Sequence, residues 1–271
     1  MFSTALAILA ILPGLSGTPA LERHAFSEPH MGTLFRVVVF APDEPTAKAA
    51  ARDAFARAAA LNNVMSDYQA TSELMRLCAR AGQGFVPVSK DLFQVLSRAQ
   101  KVSRDSEGAF DVTIGPVIRL WRIARKSRTL PAPDRLLAAR ELVGWKNLEL
   151  DEKTCSVRLL KPGMQLDLGG IGKGFAADEM LKVLARHGLT RAMVVAGGDV
   201  TVADPPPGKP GWTIAIAPID SRKEGSRYLV LANAAVSSSG DAEQYVEIDG
   251  VRYSHMVDPR TGVGLIGRMS A

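Results

Sequence analysis

LDLGGIGKGFAAD, residues 166–178, decides what kind of sheet this chain builds. An apolar lead-in runs into four glycines and a lysine, and a helical run follows. Gly172 to Ala177 satisfy GxGxxA, the loose dinucleotide fingerprint. Asp199 stands roughly 20 residues on, where that fingerprint places its ribose-binding acid. As a Rossmann turn the stretch would demand a parallel sheet. The context opposes this, because the stretch lies past mid-chain and follows two hairpin-like strands at residues 148–151 and 156–160. Asp199 also lies beyond Gly197-Gly198 instead of closing a strand directly. A P-loop fails too: Gly174 follows Gly172-Lys173 where Ser or Thr is needed, and Asp167 occupies the first glycine's position.

What survives is simpler physics. Glycines let backbone N–H groups approach phosphate oxygens, and a following helix N-terminus favours negative charge. Lys173 would add a point charge to a phosphate. Asp167 would repel one, so it should face a donor group or a metal. The plain alternative is a tight turn with an exposed lysine.

Working outward, residues 32–41 read as a strand and residues 46–64 as an alanine-rich helix. Further helices are expected from Thr71-Ser72-Glu73 to Gly82, over 89–106, over 134–143 and over 176–187. In GAFDVTIGPVIRLWRIA, Gly115-Pro116 punctuates an apolar run that holds a lone Asp111. RAMVVAGGDV, WTIAIAPI, YLVLANAAVSSSG and YVEIDGVRYSHMV read as strands, with Asp249-Gly250 a hairpin turn. The mixture favours an α+β or α/β domain with a large, mostly antiparallel sheet.

At 271 residues and 46% hydrophobic content the chain can bury a substantial core. The net charge of +5 is mild. The cluster Arg119, Arg122, Arg125, Lys126 and Arg128 lacks interleaved aromatics, so it reads as a solvated helix face and not as a nucleic-acid surface. Cys78 and Cys155 form no CxxC pattern, and whether they pair stays open. Residues 2–12 are almost wholly apolar, Pro13-Gly14 breaks the run, and Thr18-Pro19-Ala20 offers small residues. Residues 1–20 thus resemble a secretory signal peptide and imply export to the periplasm, although no Lys or Arg precedes the run.

Seven segments together resemble the ApbE family of FAD:protein FMN transferases: MGTLF, MSDYQATSEL, GAFDVTIGPVIRLW, LDLGGIGKGFAAD, VVAGGDV, AVSSSGDAEQY and SHMVDPRTG, in this order. The resemblance implies an α+β fold, one ApbE-like (T-fold-like) domain over residues 21–271 with a large mostly antiparallel sheet flanked by helices. It implies that FAD is split at its pyrophosphate, that FMN is joined to a threonine of an acceptor protein, and that AMP leaves with Mg2+ assisting. By position, Met31, Tyr68, Ala109, Phe110, Asp111, Asp167, Lys173 and Val257 match FAD-contacting residues, and Gly170 one whose carbonyl reaches the metal. His255 matches the proposed general base. Implied partners are FAD and the flavoprotein subunit of a redox complex, with inner-membrane complexes as an extension. Hydrolysis of FAD to FMN and AMP, or FAD binding without catalysis, are the alternatives. Family members continue into an Asp-x-x-x-Thr segment supplying the main magnesium ligands. This chain ends at GRMSA, so the resemblance accounts for one side of that metal site. A truncated gene product, a fragment and a pure flavin binder all fit that ending.

Overall fold

Alternation of branched and aromatic residues makes Thr33–Ala41 (β2) an inner strand of the principal sheet. Phe35, Val37 and Val39 point to one face and Val38 to the other, and all four are buried. The structure is a computed structural model and describes residues 20–216, 227–239 and 244–267. Of the leader read at residues 1–20, all but Ala20 lies outside the described residues.

β2 pairs with Glu22–His30 (β1) in unbroken register through a Met31-Gly32 turn, both residues at positive φ. β1 was not expected from the sequence, because its EPH end and scattered charges mask the alternation. On its other side β2 meets Ala192–Ala196 (β6), then Asp199–Val202 (β7) and Ala234–Ser237 (β10), every pairing antiparallel. This is the expected sheet, and it removes the parallel Rossmann reading. RAMVVAGGDV, expected as one strand, is a hairpin. Gly197 sits at φ +66° in its turn, and a Cβ there would lie 2.9 Å from Thr33 Oγ1.

Glu44–Met65 (α1) covers one face of the sheet, joined by Gly172–Arg186 (α6). Asp43 caps α1 by accepting from Thr46 N–H. Its small Ala47, Ala50, Ala51, Ala54 and Ala58 are buried, which lets α6 approach closely with Phe175, Ala176 and Met180. On the opposite face Val38 and Val202 pack under Trp212, which anchors the ribbon of Trp212–Ile216 (β8) and Arg227–Leu231 (β9). YLVLANAAVSSSG, expected as one strand, is therefore two: Asn233 turns at φ +48° and sends the chain from the ribbon back to the main sheet.

Glu73–Cys78 (α2) and Lys90–Asp105 (α3) start at Ser72 and Ser89, whose hydroxyls accept from the third residue on. Val86–Pro87 (β3), Leu148–Asp151 (β4) and Ser156–Leu159 (β5) form a small sheet in the order β3-β5-β4. Gly115-Pro116 opens a helix, Gly115–Ser127 (α4), since proline is well suited to a first helical turn. Pro133–Glu141 (α5) follows. The last sheet, Tyr245–Ile248 (β11), Val251–Val257 (β12) and Gly264–Ile266 (β13), packs on α4 through Trp121, Val117, Val246 and Tyr253. Cys78 and Cys155 are free thiols.

Candidate flavin site

α6 starts four residues earlier than the sequence suggests, so Gly172, Lys173 and Gly174 form its first turn and are not loop. Its N-cap is Ile171, and no side chain caps it. The helix therefore presents the positive end of its dipole and first-turn N–H groups, the ordinary setting for an anion. Lys173 adds a charge there and pairs with Asp199 at 3.0 Å. Asp199 opens β7 and also accepts from the Ser237 hydroxyl of β10. The Met31-Gly32 turn lies beside the Gly197 turn through Thr33, and a hollow of about 370 Å3 opens there, lined by Met31, Thr33, Asn62 and Asn63 among others.

Ahead of the helix, Asp167 is held at three points. Its N–H donates to Val112 O at 2.8 Å, its Oδ1 accepts from Gly169 N–H at 2.7 Å, and its Oδ2 accepts from Arg122 Nη2 at 2.7 Å. Burial pushes its pKa up, reinforced by the like charge of Asp67, while Gly169, Arg122 and Arg125 pull back only in part. Gly170 follows in close contact with Phe110, where even a methyl group would come within 3.0 Å of the ring.

Arg122, on α4, also donates to Asp67 and lies with its guanidinium centre 4.2 Å from the Tyr68 ring centroid. Burial works against its charge, yet the bond to Asp67 and the charges of Asp167 and Asp67 hold its pKa above the ordinary value. Ser66, at the end of α1, accepts from the N–H groups of Tyr68 and Gln69 at 3.2 Å and fixes the backbone beneath the ring. Tyr68 remains 77% exposed, so the face away from Arg122 is open to solvent.

Asp111 is bonded to the protein itself. Oδ1 accepts from Thr113 N–H and Oγ1, and Oδ2 from Trp145 N–H, all within 2.8 Å. Burial raises its pKa against those bonds. It ties the turn after Ala109-Phe110 to Gly144-Trp145, beside a second hollow of about 390 Å3. His255 lies on β12, where both its N–H and Nδ1 meet Gln244 O, at 3.0 and 3.1 Å. A carbonyl only accepts, so in this contact Nδ1 is the donor. Val257, two residues on, pairs with Gly264. This sheet is pinned to α4 by Trp121, whose Nε1–H donates to Gly262 O at 2.8 Å. Neighbouring residues of one helix thus hold the His255 sheet and the glycine segment.

Sequence reasoning missed Arg122 and Asp67. Arg122 is not part of a solvated face: its side chain is 21% exposed and bonded to two carboxylates. The signal was an arginine directly after Trp121 in an apolar helix, and an acid directly before Tyr68.

An uncapped helix start with a lysine, and an aromatic plate backed by a guanidinium, suit a ligand that combines a flat ring with phosphate. The family model described as ApbE family matches residues 31–270, and the chain belongs to that family. It is 32% identical over 244 residues to the FAD:protein FMN transferase of Klebsiella pneumoniae (strain 342), covering 89% of this chain and 74% of that protein. It is 31% identical over 271 residues to the FAD:protein FMN transferase of Treponema pallidum (strain Nichols), covering 94% and 75%. Among solved structures it resembles the flavin transferase ApbE from Vibrio cholerae, with TM-score 0.80, 28% identity and coverage of 90% and 79%. The ApbE protein from Thermotoga maritima gives TM-score 0.82, 29% identity and coverage of 92% and 80%.

Proposed function

We propose that the protein is a flavin transferase that moves FMN from FAD to a threonine hydroxyl of an acceptor redox protein and releases AMP. Lys173 in the uncapped first turn of α6, with Asp199 as its resting counter-ion, carries this reading. The threonine oxygen attacks the FMN-side phosphorus, the bridging P–O bond breaks, and AMP leaves with the bond's electron pair. The threonine proton passes to His255, since imidazole is a proton acceptor suited to neutral pH. Lys173 and the α6 amides hold negative charge on the diphosphate as it redistributes.

Magnesium dependence belongs to the same proposal. The Gly170 carbonyl would supply one of the oxygens that magnesium takes. Among the described residues no three His, Cys, Asp or Glu gather as a metal site, and the Asp167 carboxylate is engaged by Arg122 and Gly169. The described residues alone do not make a complete magnesium site, so no step is drawn through the ion. Export is proposed from the apolar run at residues 2–12, and cell fractionation tests it. No helix among the described residues is long and apolar enough to cross a membrane.

The deciding experiment incubates the chain with FAD, Mg2+ and an acceptor domain and follows the products by mass spectrometry. An FMN-sized adduct on the acceptor is expected. FMN and AMP without adduct would make the protein a hydrolase, and intact bound FAD would make it a binder. His255→Ala should slow transfer by about 10²–10⁴-fold, as for loss of a general base, and leave FAD binding unchanged. Unchanged transfer would remove the histidine from the reaction.

A further inference from the structure

Arg122 sits where three parts of the site meet. Its guanidinium donates to Asp67 and Asp167 and covers one face of Tyr68 at 4.2 Å. The elements that bring these groups together are distant in sequence: the end of α1, helix α4 and the segment entering α6. Both carboxylates are mostly shielded from water, at 15% and 11% side-chain exposure, so one guanidinium serves two anions that would otherwise repel. Arginine's planar fork is suited to this, since it bonds in its own plane and stacks with its face. Trp121, one residue earlier, is 3% exposed and fixes α4 against the last sheet, so Arg122 projects from a held backbone.

We propose that Arg122 is a positioning residue of flavin transfer: it braces Tyr68 as a fixed plate for a flat ring of FAD and locks that plate to the Asp167–Gly170 segment. The inference rests on the flavin-transferase reading and deepens it. A ring stacked on one face and open on the other has already lost its rotational freedom, so a ligand ring pays less to settle on it. The cation beneath also draws on the ring's π-cloud, and stacks of this kind are stronger away from water. Because Asp167 hangs from the same guanidinium, ring placement and glycine-segment placement are set together. Arg122 touches neither the phosphate nor the threonine in this account. It acts through Tyr68 and Asp167.

The test is a double-mutant cycle on FAD affinity, read by quenching of flavin fluorescence, with kcat and KM for transfer measured alongside. Arg122→Met should weaken FAD binding by about 5–30-fold, the equivalent of one to two kcal/mol. In a Tyr68→Ala background the same change should cost less than about threefold, since the plate it braces is gone. Arg122→Lys keeps the charge without the plane and should recover only part of the loss. It also carries the comparison should Arg122→Met fail to fold. KM for FAD should rise more than kcat falls. A role in folding alone would lower Tm equally in both backgrounds and give additive affinities, and additivity would overturn the proposal. If the wild type transfers FMN while the cycle is additive, the inference falls and the function stands. If the wild type binds FAD without transferring it while the cycle is non-additive, the bracing stands and the transferase reading falls. No binding by the wild type overturns both.

Discussion

Replacing Trp121 with Phe tests whether α4 joins the His255 sheet to the rest of the protein. The indole is buried, lies tilted against the Tyr253 ring with centroids 5.2 Å apart, and donates Nε1–H to Gly262 O at 2.8 Å. Phenylalanine keeps most of the apolar contact but removes the donor, leaving a buried carbonyl unpaired at a cost of about 1–3 kcal/mol. The smaller ring adds roughly 1 kcal/mol of lost packing. The sum, about 2–4 kcal/mol, corresponds to a Tm drop of roughly 5–15 °C in a domain of this size. Tyr68, Asp167 and Lys173 lie on other elements, but Arg122 follows Trp121 on α4 and Val257 lies on the loosened sheet. FAD affinity should therefore fall by only about two- to fivefold, while kcat falls by about tenfold or more as His255 loses its fixed frame. Differential scanning calorimetry and transfer kinetics with one acceptor measure both. An unchanged Tm would refute the hydrogen-bond argument, and an affinity loss as large as the kcat loss would refute the separation of the two regions.

Lys173→Met should change stability by less than about 1 kcal/mol, since its pair with Asp199 is partly exposed. FAD affinity should nevertheless fall about tenfold or more by titration calorimetry, with loss of a charge-assisted phosphate contact. Asp111→Ala strands the Thr113 and Trp145 N–H groups and should cost about 2–5 kcal/mol in urea unfolding. The Arg57 fork holds the Asp91 carboxylate below the ordinary range, by hydrogen bonds of 2.7 and 2.6 Å. A depressed carboxylate stabilises the fold above its unfolded pKa and loses that contribution as pH falls through the folded value. Asp91→Asn should therefore lower Tm at neutral pH and flatten the fall in Tm between about pH 5 and pH 2. An unchanged acid slope would mean the pair contributes nothing.

Much of the architecture was written in local pattern. Strand β2 and helices α1, α3 and α5 follow from residue periodicity and caps, and Asp249-Gly250 marks its hairpin directly. What failed were the breaks. Gly197 and Asn233 turn at positive φ inside apolar runs that read as continuous strands, and only tertiary packing says where such a run must fold back. The start of α6 was obscured because glycines lower helix propensity, although the fold seats Gly172 and Gly174 in a first turn. Of the site, the charged and aromatic groups near the glycines were visible as residue types in a pattern. Arg122 was not, because its partners at 67 and 167 are distant in sequence, and a charge on a helix reads as solvent-facing unless those partners are known.

The early start of α6 has a kinetic consequence. Lys173 hangs from a backbone already locked by the helix, so its ammonium changes partners only by swinging its own four-carbon stem. That motion belongs to the picosecond-to-nanosecond range of side-chain rotamers, not to the slower range of loop ordering. On the proposed function, a phosphate arriving at α6 would exchange with the Asp199 carboxylate as one counter-ion for another. Association there should be quick and weakened by salt, with no slow closing phase in stopped-flow traces.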